Sequence, residues 1–147
     1  MIADKTLSTS RTLPYTAKEI YGAFAAADQL ALWWGPDGFS NTFEIFEFKP
    51  GGRWKFVMHG PDGINYANEC IFKALVADAR VVIDHVCQPY FSLTIELTPV
   101  SGGTHLSWNQ VFEDAQTAQS VKHIAVPANE QNLDRLTQVL SKVTDAR

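Results

Sequence analysis

The chain has 147 residues, the length of one ordinary domain and enough to bury a real core. A hydrophobic fraction of 46% beside 19% charged residues is that of a globular protein and indicates neither the disordered nor the membrane class. The net charge of -4, with no basic run, argues against nucleic acid, whose phosphates need a basic patch. No segment approaches the ~20 apolar residues of a membrane span, and Met1–Lys5 lacks the apolar stretch of a signal peptide. Two cysteines, Cys70 and Cys87, are too few for a disulfide framework. No membrane insertion and a reducing, cytoplasmic location are therefore expected.

Residues 5–13 alternate loosely and are rich in β-branched side chains, so they predict a strand that Pro14 ends. Thr16-Ala17-Lys18-Glu19 has the pattern of a capping box. Ile20, Phe24 and Ala27 follow at helical spacing, placing a short helix over 17–26. Asp28 is the expected cap of a second helix carrying Leu30, Leu32, Trp33 and Trp34, stopped by Gly35-Pro36-Asp37-Gly38. From about residue 41 the period becomes two. Phe43–Phe48 leads into the Pro50-Gly51-Gly52 turn, and Arg53–Met58 returns with Trp54, Phe56 and Met58 on one face. Gly60-Pro61-Asp62-Gly63 makes the next turn, and strands fit 65–75, 80–87, 91–99 and 104–112. Connections this short require an antiparallel meander. The last strand sets Leu106, Trp108, Gln110 and Phe112 on one face. A brief helical turn from Asp114 through Val121 is expected next, then a final helix with Pro127 in its first turn. Its stripe is Val126, Asn129, Leu133, Leu136, Leu140 and Val143.

The order is one strand, two short helices, six strands and one long helix, with no internal repeat or linker, in a single domain over 1–147. The fold class is α+β: a seven-stranded curved antiparallel sheet around a long C-terminal helix, the helix-grip arrangement. The sheet must cover one apolar face, and a single long helix touches a twisted sheet only along a line. Space should remain beside that line, walled by Trp54, Phe56 and Met58 and suited to a small hydrophobic or aromatic molecule. The alternative is that bulky side chains fill it.

Of Trp33 and Trp34, about 100° apart on a helix, one is expected inward and the other over the cavity mouth. Asp84-His85-Val86-Cys87 has the residue types of a nucleophile set, but Asp84 and His85 face opposite ways on a strand. On a strand, His85 and Cys87 would sit about 7 Å apart. His85 is better placed as a polar cavity group than as a base. Asn129 breaks the apolar stripe and needs a hydrogen bond, from Gln110, a backbone carbonyl, water or a ligand; Asn132 flanks it. Glu44, Glu47 and Glu69 on strands are expected to pair with Arg53 or Lys55 across the hairpin. Gly51-Gly52 lacks the following Lys-Ser/Thr of a phosphate loop, and the four scattered histidines lack metal-ligand spacing. The candidate ligand-binding residues are thus Trp33, Trp34, Trp54, Phe56, Met58, His85, Trp108, Gln110, Phe112, Asn129 and Leu133. No metal, cofactor or catalytic set is expected, and a homodimer is allowed.

Trp33-Trp34-Gly35-Pro36, Phe48-Lys49-Pro50-Gly51-Gly52-Arg53-Trp54, Gly103-Thr104-His105-Leu106 and the segment from Pro127 to Leu136 resemble one family. It is the family of homologues of the activator of heat shock protein 90 ATPase, within the START, polyketide-cyclase and birch-pollen-allergen superfamily. The resemblance spans roughly residues 7–143 and implies the helix-grip fold and a pocket for apolar molecules. Eukaryotic members that stimulate the chaperone carry a further N-terminal domain, for which 147 residues leave no room. A carrier or sensor of a small apolar ligand is the expected function. A cyclase- or dehydratase-type enzyme using His85, Gln110 or a strand carboxylate, and a chaperone-linked interaction module, are the alternatives.

Overall fold

The computed structural model describes residues 2–145. A 3-10 turn, Ile2–Lys5, precedes β1 (Thr6–Leu13). Two short helices follow, α1 (Ala17–Ala25) and α2 (Ala27–Trp33). Then come β2 (Ser40–Phe46), β3 (Gly52–His59), β4 (Asn65–Val76), β5 (Arg80–His85), β6 (Phe91–Val100) and β7 (Gly103–Phe112), and last α3 (Ala115–Asp145). The seven strands form one antiparallel sheet in the order β1-β7-β6-β5-β4-β3-β2. Consecutive strands from β2 to β7 are neighbours, and β1 closes the far side against β7. The helix-grip architecture expected from the sequence is the one present.

Local chemistry explains the elements. Thr16 and Glu19 form the capping box of α1: the Glu19 amide donates to Thr16 Oγ1 at 3.1 Å and the Thr16 amide to Glu19 Oε1 at 2.9 Å. Asp28 is not the cap of α2. That position is Ala26, because the two helices share a one-residue junction, and Asp28 lies inside the first turn with Oδ1 accepting from the Gln29 amide. Strand β2 ends two residues earlier than its hydrophobic run, and a bulge lies between Phe43 and Ile45. The extra residue lets Phe43 and Phe46 stack on the same side, ring centres 5.5 Å apart, where strict alternation would separate them. Both glycines of the β2–β3 turn are needed. Gly51 has φ of +78°, and a Cβ on Gly52 would run into the Glu47 carbonyl.

The largest departure is at the C-terminus. Instead of a helical turn and a separate helix begun at Pro127, α3 is continuous through Pro127. Asp114 starts it, with Oδ1 accepting from the Thr117 amide at 2.7 Å and its carbonyl from the Ala118 amide. Pro127 removes one helical hydrogen bond, but it and residues 122–124 are exposed, so water can take up the freed His123 carbonyl. Val126 is likewise 43% exposed and lies off the buried stripe.

The core has two parts. The main one holds Leu133, Leu136, Val139 and Leu140 of α3 against Trp33, Trp54, Phe72, Ile83, Ile95 and Leu106. Its β2–β4 side is aromatic: Trp54 stacks on Phe56 at 4.2 Å and on Phe72 at 5.7 Å. The second is a small cluster of Leu7, Phe112 and Ala118, with Phe91, Val121 and Ala125 packed on it. Between the two parts, where α3 passes residues 125–132, packing is incomplete.

Candidate functional site

A partly open cavity of about 230 Å³ lies at that seam. Its walls come from every layer of the fold: Trp34, Gly35 and Pro36 after α2, Phe56 and Met58 of β3, and Asn68 of β4. His85 of β5, Phe91 and Leu93 of β6, Trp108 and Gln110 of β7, and Ala125, Ala128, Asn129 and Asn132 of α3 complete it. Small alanines on α3 leave the room that larger residues would take. The unfilled space is not spread along the whole helix, since residues 133–140 pack solidly.

The structure brings seven of the eleven residues singled out from the sequence to this cavity: Trp34, Phe56, Met58, His85, Trp108, Gln110 and Asn129. Four lie elsewhere. Trp33 is fully buried beneath α1, its Nε1 donating to the Ala23 carbonyl at 3.0 Å, while Trp34 faces the cavity. Trp54 sits behind Phe56 in the aromatic core, Leu133 faces the main core, and Phe112 belongs to the small cluster. Strand alternation identified the right face but not how far along it the solid packing extends.

The loop after α2 was missed as a wall of the site, and so was the residue that holds it. Arg135 Nη1 donates to the carbonyls of Gly35 (2.8 Å), Pro36 (2.9 Å) and Trp34 (3.2 Å). Its Nη2 donates to those of Leu32 and Phe39, both at 2.8 Å. Burial lowers the Arg135 pKa and nearby Asp37 opposes this; the guanidinium stays charged, fitting the carbonyl end of a helix. Asn132 adds to the clasp, Oδ1 accepting from the Gly35 amide at 2.7 Å.

The polar groups in the cavity are buried amides and one imidazole. Asn129 Nδ2 donates to Gln110 Oε1 at 3.0 Å, the partner the sequence offered for it. His85 Nδ1 donates to the Pro89 carbonyl at 2.7 Å, and Nε2 lies 2.8 Å from Asn68 Oδ1. Burial pushes the His85 pKa down, with backbone hydrogen bonds to Pro89 and Cys87 opposing. In the neutral ring Nε2 is an acceptor; Asn68 Nδ2 is engaged by the Tyr66 carbonyl at 3.1 Å, so the donor within reach of Nε2 is the Cys87 thiol at 3.4 Å.

The separation of about 7 Å expected between His85 and Cys87 needs correction. Strand β5 ends at His85, two residues short of the expected limit, and the chain turns back so that Cys87 Sγ lies 3.4 Å from His85 Nε2. The pair is within hydrogen-bond reach, and the Pro89 carbonyl holds the ring by its other nitrogen. Asp84 is on the opposite face, and no charged side chain lines the cavity. The strand carboxylates are engaged elsewhere: Glu44 with Lys55 (3.5 Å), Glu69 with Arg53 (3.3 Å), and Glu47 with the Arg53 amide (2.9 Å).

A larger hollow of about 460 Å³ lies between α1 and the end of α3. Its polar residues, Thr16, Lys18, Glu19 and Gln29, are exposed or half-buried, and Thr16 and Glu19 are the capping pair. It is about as enclosed as the seam cavity, and its lining is the more polar of the two. Among the described residues no group of acidic, histidine or cysteine side chains could hold a metal ion, and no helix is long and apolar enough to cross a membrane.

Solved structures share this architecture from end to end. A Nitrosomonas europaea protein superposes with a TM-score of 0.87 at 18% identity, over 97% of each chain. An Arthrobacter aurescens protein gives 0.87 at 22% identity, covering 97% of this chain and 89% of its own. A Mycobacterium smegmatis protein gives 0.80 at 22%, covering 100% and 96%. At these identities the likeness is one of fold. No curated protein is similar enough to match. The family model described as activator of Hsp90 ATPase homolog 1-like protein matches residues 14–141.

Proposed function

Since the chain belongs to the family of activator of Hsp90 ATPase homolog 1-like proteins, we propose that its work is done in the cavity at the seam of α3, by binding one small, uncharged, largely apolar molecule. A single observation carries this. Aromatic and aliphatic walls meet His85, Gln110, Asn129 and Asn132, each 7–8% exposed, with no charged side chain in the lining. That is the composition of a ligand site, an apolar surround with a few fixed polar groups.

Size limits the ligand to a single ring. An apolar cavity of about 150 Å³ in another protein holds benzene, so this one takes a ring with a short substituent. Such a ligand buries roughly 200 Å² of apolar surface, about 5 kcal/mol before association costs. The apolar contribution alone therefore supports at best sub-millimolar affinity.

Two Trp rings line the cavity, so occupancy is read by fluorescence. Ethylbenzene should quench saturably, and Ala128→Phe, which fills the space from α3, should abolish the response. Saturable quenching that survives Ala128→Phe would place the binding elsewhere, and no quenching by any single-ring compound would end the proposal. Assay of the protein against purified Hsp90-type ATPase separates cavity binding from the activity in the family's name.

A further inference from the structure

The polar atoms that open on the cavity restrict the ligand's functional group. Asn132 is fixed in orientation: Oδ1 accepts from the Gly35 amide at 2.7 Å, so Nδ2 is the outward end and offers two donors. Asn129 and Gln110 hold each other at 3.0 Å, leaving Asn129 Oδ1 and Gln110 Nε2 pointing away from the bond. Turning both amides over exchanges these roles but still leaves one acceptor and one donor outward. None of the three outward atoms has a hydrogen-bond partner among the described residues. Nor are they sealed in: the enclosed side-chain atoms without partners are Asn41 Oδ1, Trp54 Nε1 and Trp108 Nε1. The three amides therefore reach the open space of the cavity while their residues are more than nine-tenths buried.

An adjacent acceptor and donor are both satisfied only by a group that offers both: a carboxamide or lactam does so from two separate atoms, as the Asn129–Gln110 pair presents them, whereas a hydroxyl must serve both from one oxygen. A ketone or ether leaves the outward carbonyl of the Asn129–Gln110 pair unmet. A carboxylate brings a charge for which the lining has no cation, and a hydrocarbon leaves every amide unmet. We propose that the cavity recognises a neutral carboxamide or lactam carried on a single-ring apolar body. This rests on the cavity being a ligand site, as argued above.

The test compares benzamide, benzoate and ethylbenzene by NMR chemical-shift titration of the wild-type chain and of a Gln110→Met, Asn129→Leu double variant. In the wild type, benzamide should move the side-chain amide signals of Asn132 and Gln110, and benzoate should bind at least tenfold more weakly. In the double variant the affinity for benzamide relative to ethylbenzene should fall about thirtyfold, the worth of two neutral hydrogen bonds. If ethylbenzene binds and that ratio is unchanged, the carboxamide inference is overturned while the cavity remains a ligand site. If none of the three compounds binds, both fall together. Should the double variant not fold, the wild-type amide signals decide: an equal response to benzamide and ethylbenzene overturns the inference.

Discussion

Replacing Arg135 with Met removes the clasp on the loop that walls the cavity and keeps most of the aliphatic volume. Four N–H groups of the guanidinium serve five carbonyls, so one hydrogen is shared on Nη1. The bond to Leu32 is exposed and water can replace it. The other four are part-buried, but three of them share the two hydrogens on Nη1, so three hydrogen bonds' worth, at about 1 kcal/mol each, gives a loss of about 3 kcal/mol. Unfolding a chain of this length carries an entropy of about 0.3 kcal/mol/K, so Tm should fall by about 10 °C. Urea denaturation with an unchanged m-value is the cleaner measure of the free energy. Arg135→Lys separates charge from geometry. An ammonium keeps the favourable interaction with the helix end but cannot reach five carbonyls from one nitrogen, so it should recover no more than a third of the loss. Full recovery by Lys, or a Met variant within 1 kcal/mol of wild type, would refute the account.

Two tryptophans give a matched contrast. Trp33→Phe leaves the buried Ala23 carbonyl without its donor and should cost about 1–3 kcal/mol more in urea denaturation than Trp108→Phe, whose indole N–H has no partner to lose. The cysteines should differ in reactivity. Burial chiefly, then the neighbouring Cys87, pushes the Cys70 pKa far up, so a thiol reagent at pH 8 should label one site, Cys87, in the native chain and two after denaturation. His85 sets a pH dependence. Its folded pKa lies below the unfolded value near 6.5, so below that pH the unfolded state binds more protons and stability falls as pH drops toward the folded pKa. Above about pH 6.5 both states are neutral and the contribution is flat. Urea midpoints for wild type and His85→Gln at pH 5 and 7 should show a loss on acidification that the variant lacks in part.

Period-two alternation located the sheet and its inward face because one side is buried against helices, and a one-residue slip would turn Trp54, Phe56 and Trp108 outward. Short loops left only the antiparallel order. What alternation could not show was depth. Trp54 and Phe56 share a face, yet only Phe56 reaches the cavity, and which does so depends on how α3 crosses the sheet. Asn129 was legible as a buried amide needing a partner, since an apolar stripe rarely contains one without a reason. The clasp of Arg135 was not, because its five acceptors are main-chain carbonyls about a hundred positions earlier and leave no mark in side-chain pattern. Pro127 misled through a sound rule: proline favours a helix's first turn, but on a wet face it is tolerated further in.

Pro127 also divides the long helix energetically. Ahead of it, residues 115–126 rest on a satellite group of three buried side chains, whereas residues behind it are bound into the main core. The front portion thus forms a cooperative unit of lower local stability, with one backbone bond fewer at its boundary. Amide exchange should be markedly faster at Val121 and Ala125 than at Leu136 and Leu140. Thermal fraying would then open the hollow at its Ala125 edge alone, while Ala128, Asn129 and Asn132 stay on the firmly held part of the helix.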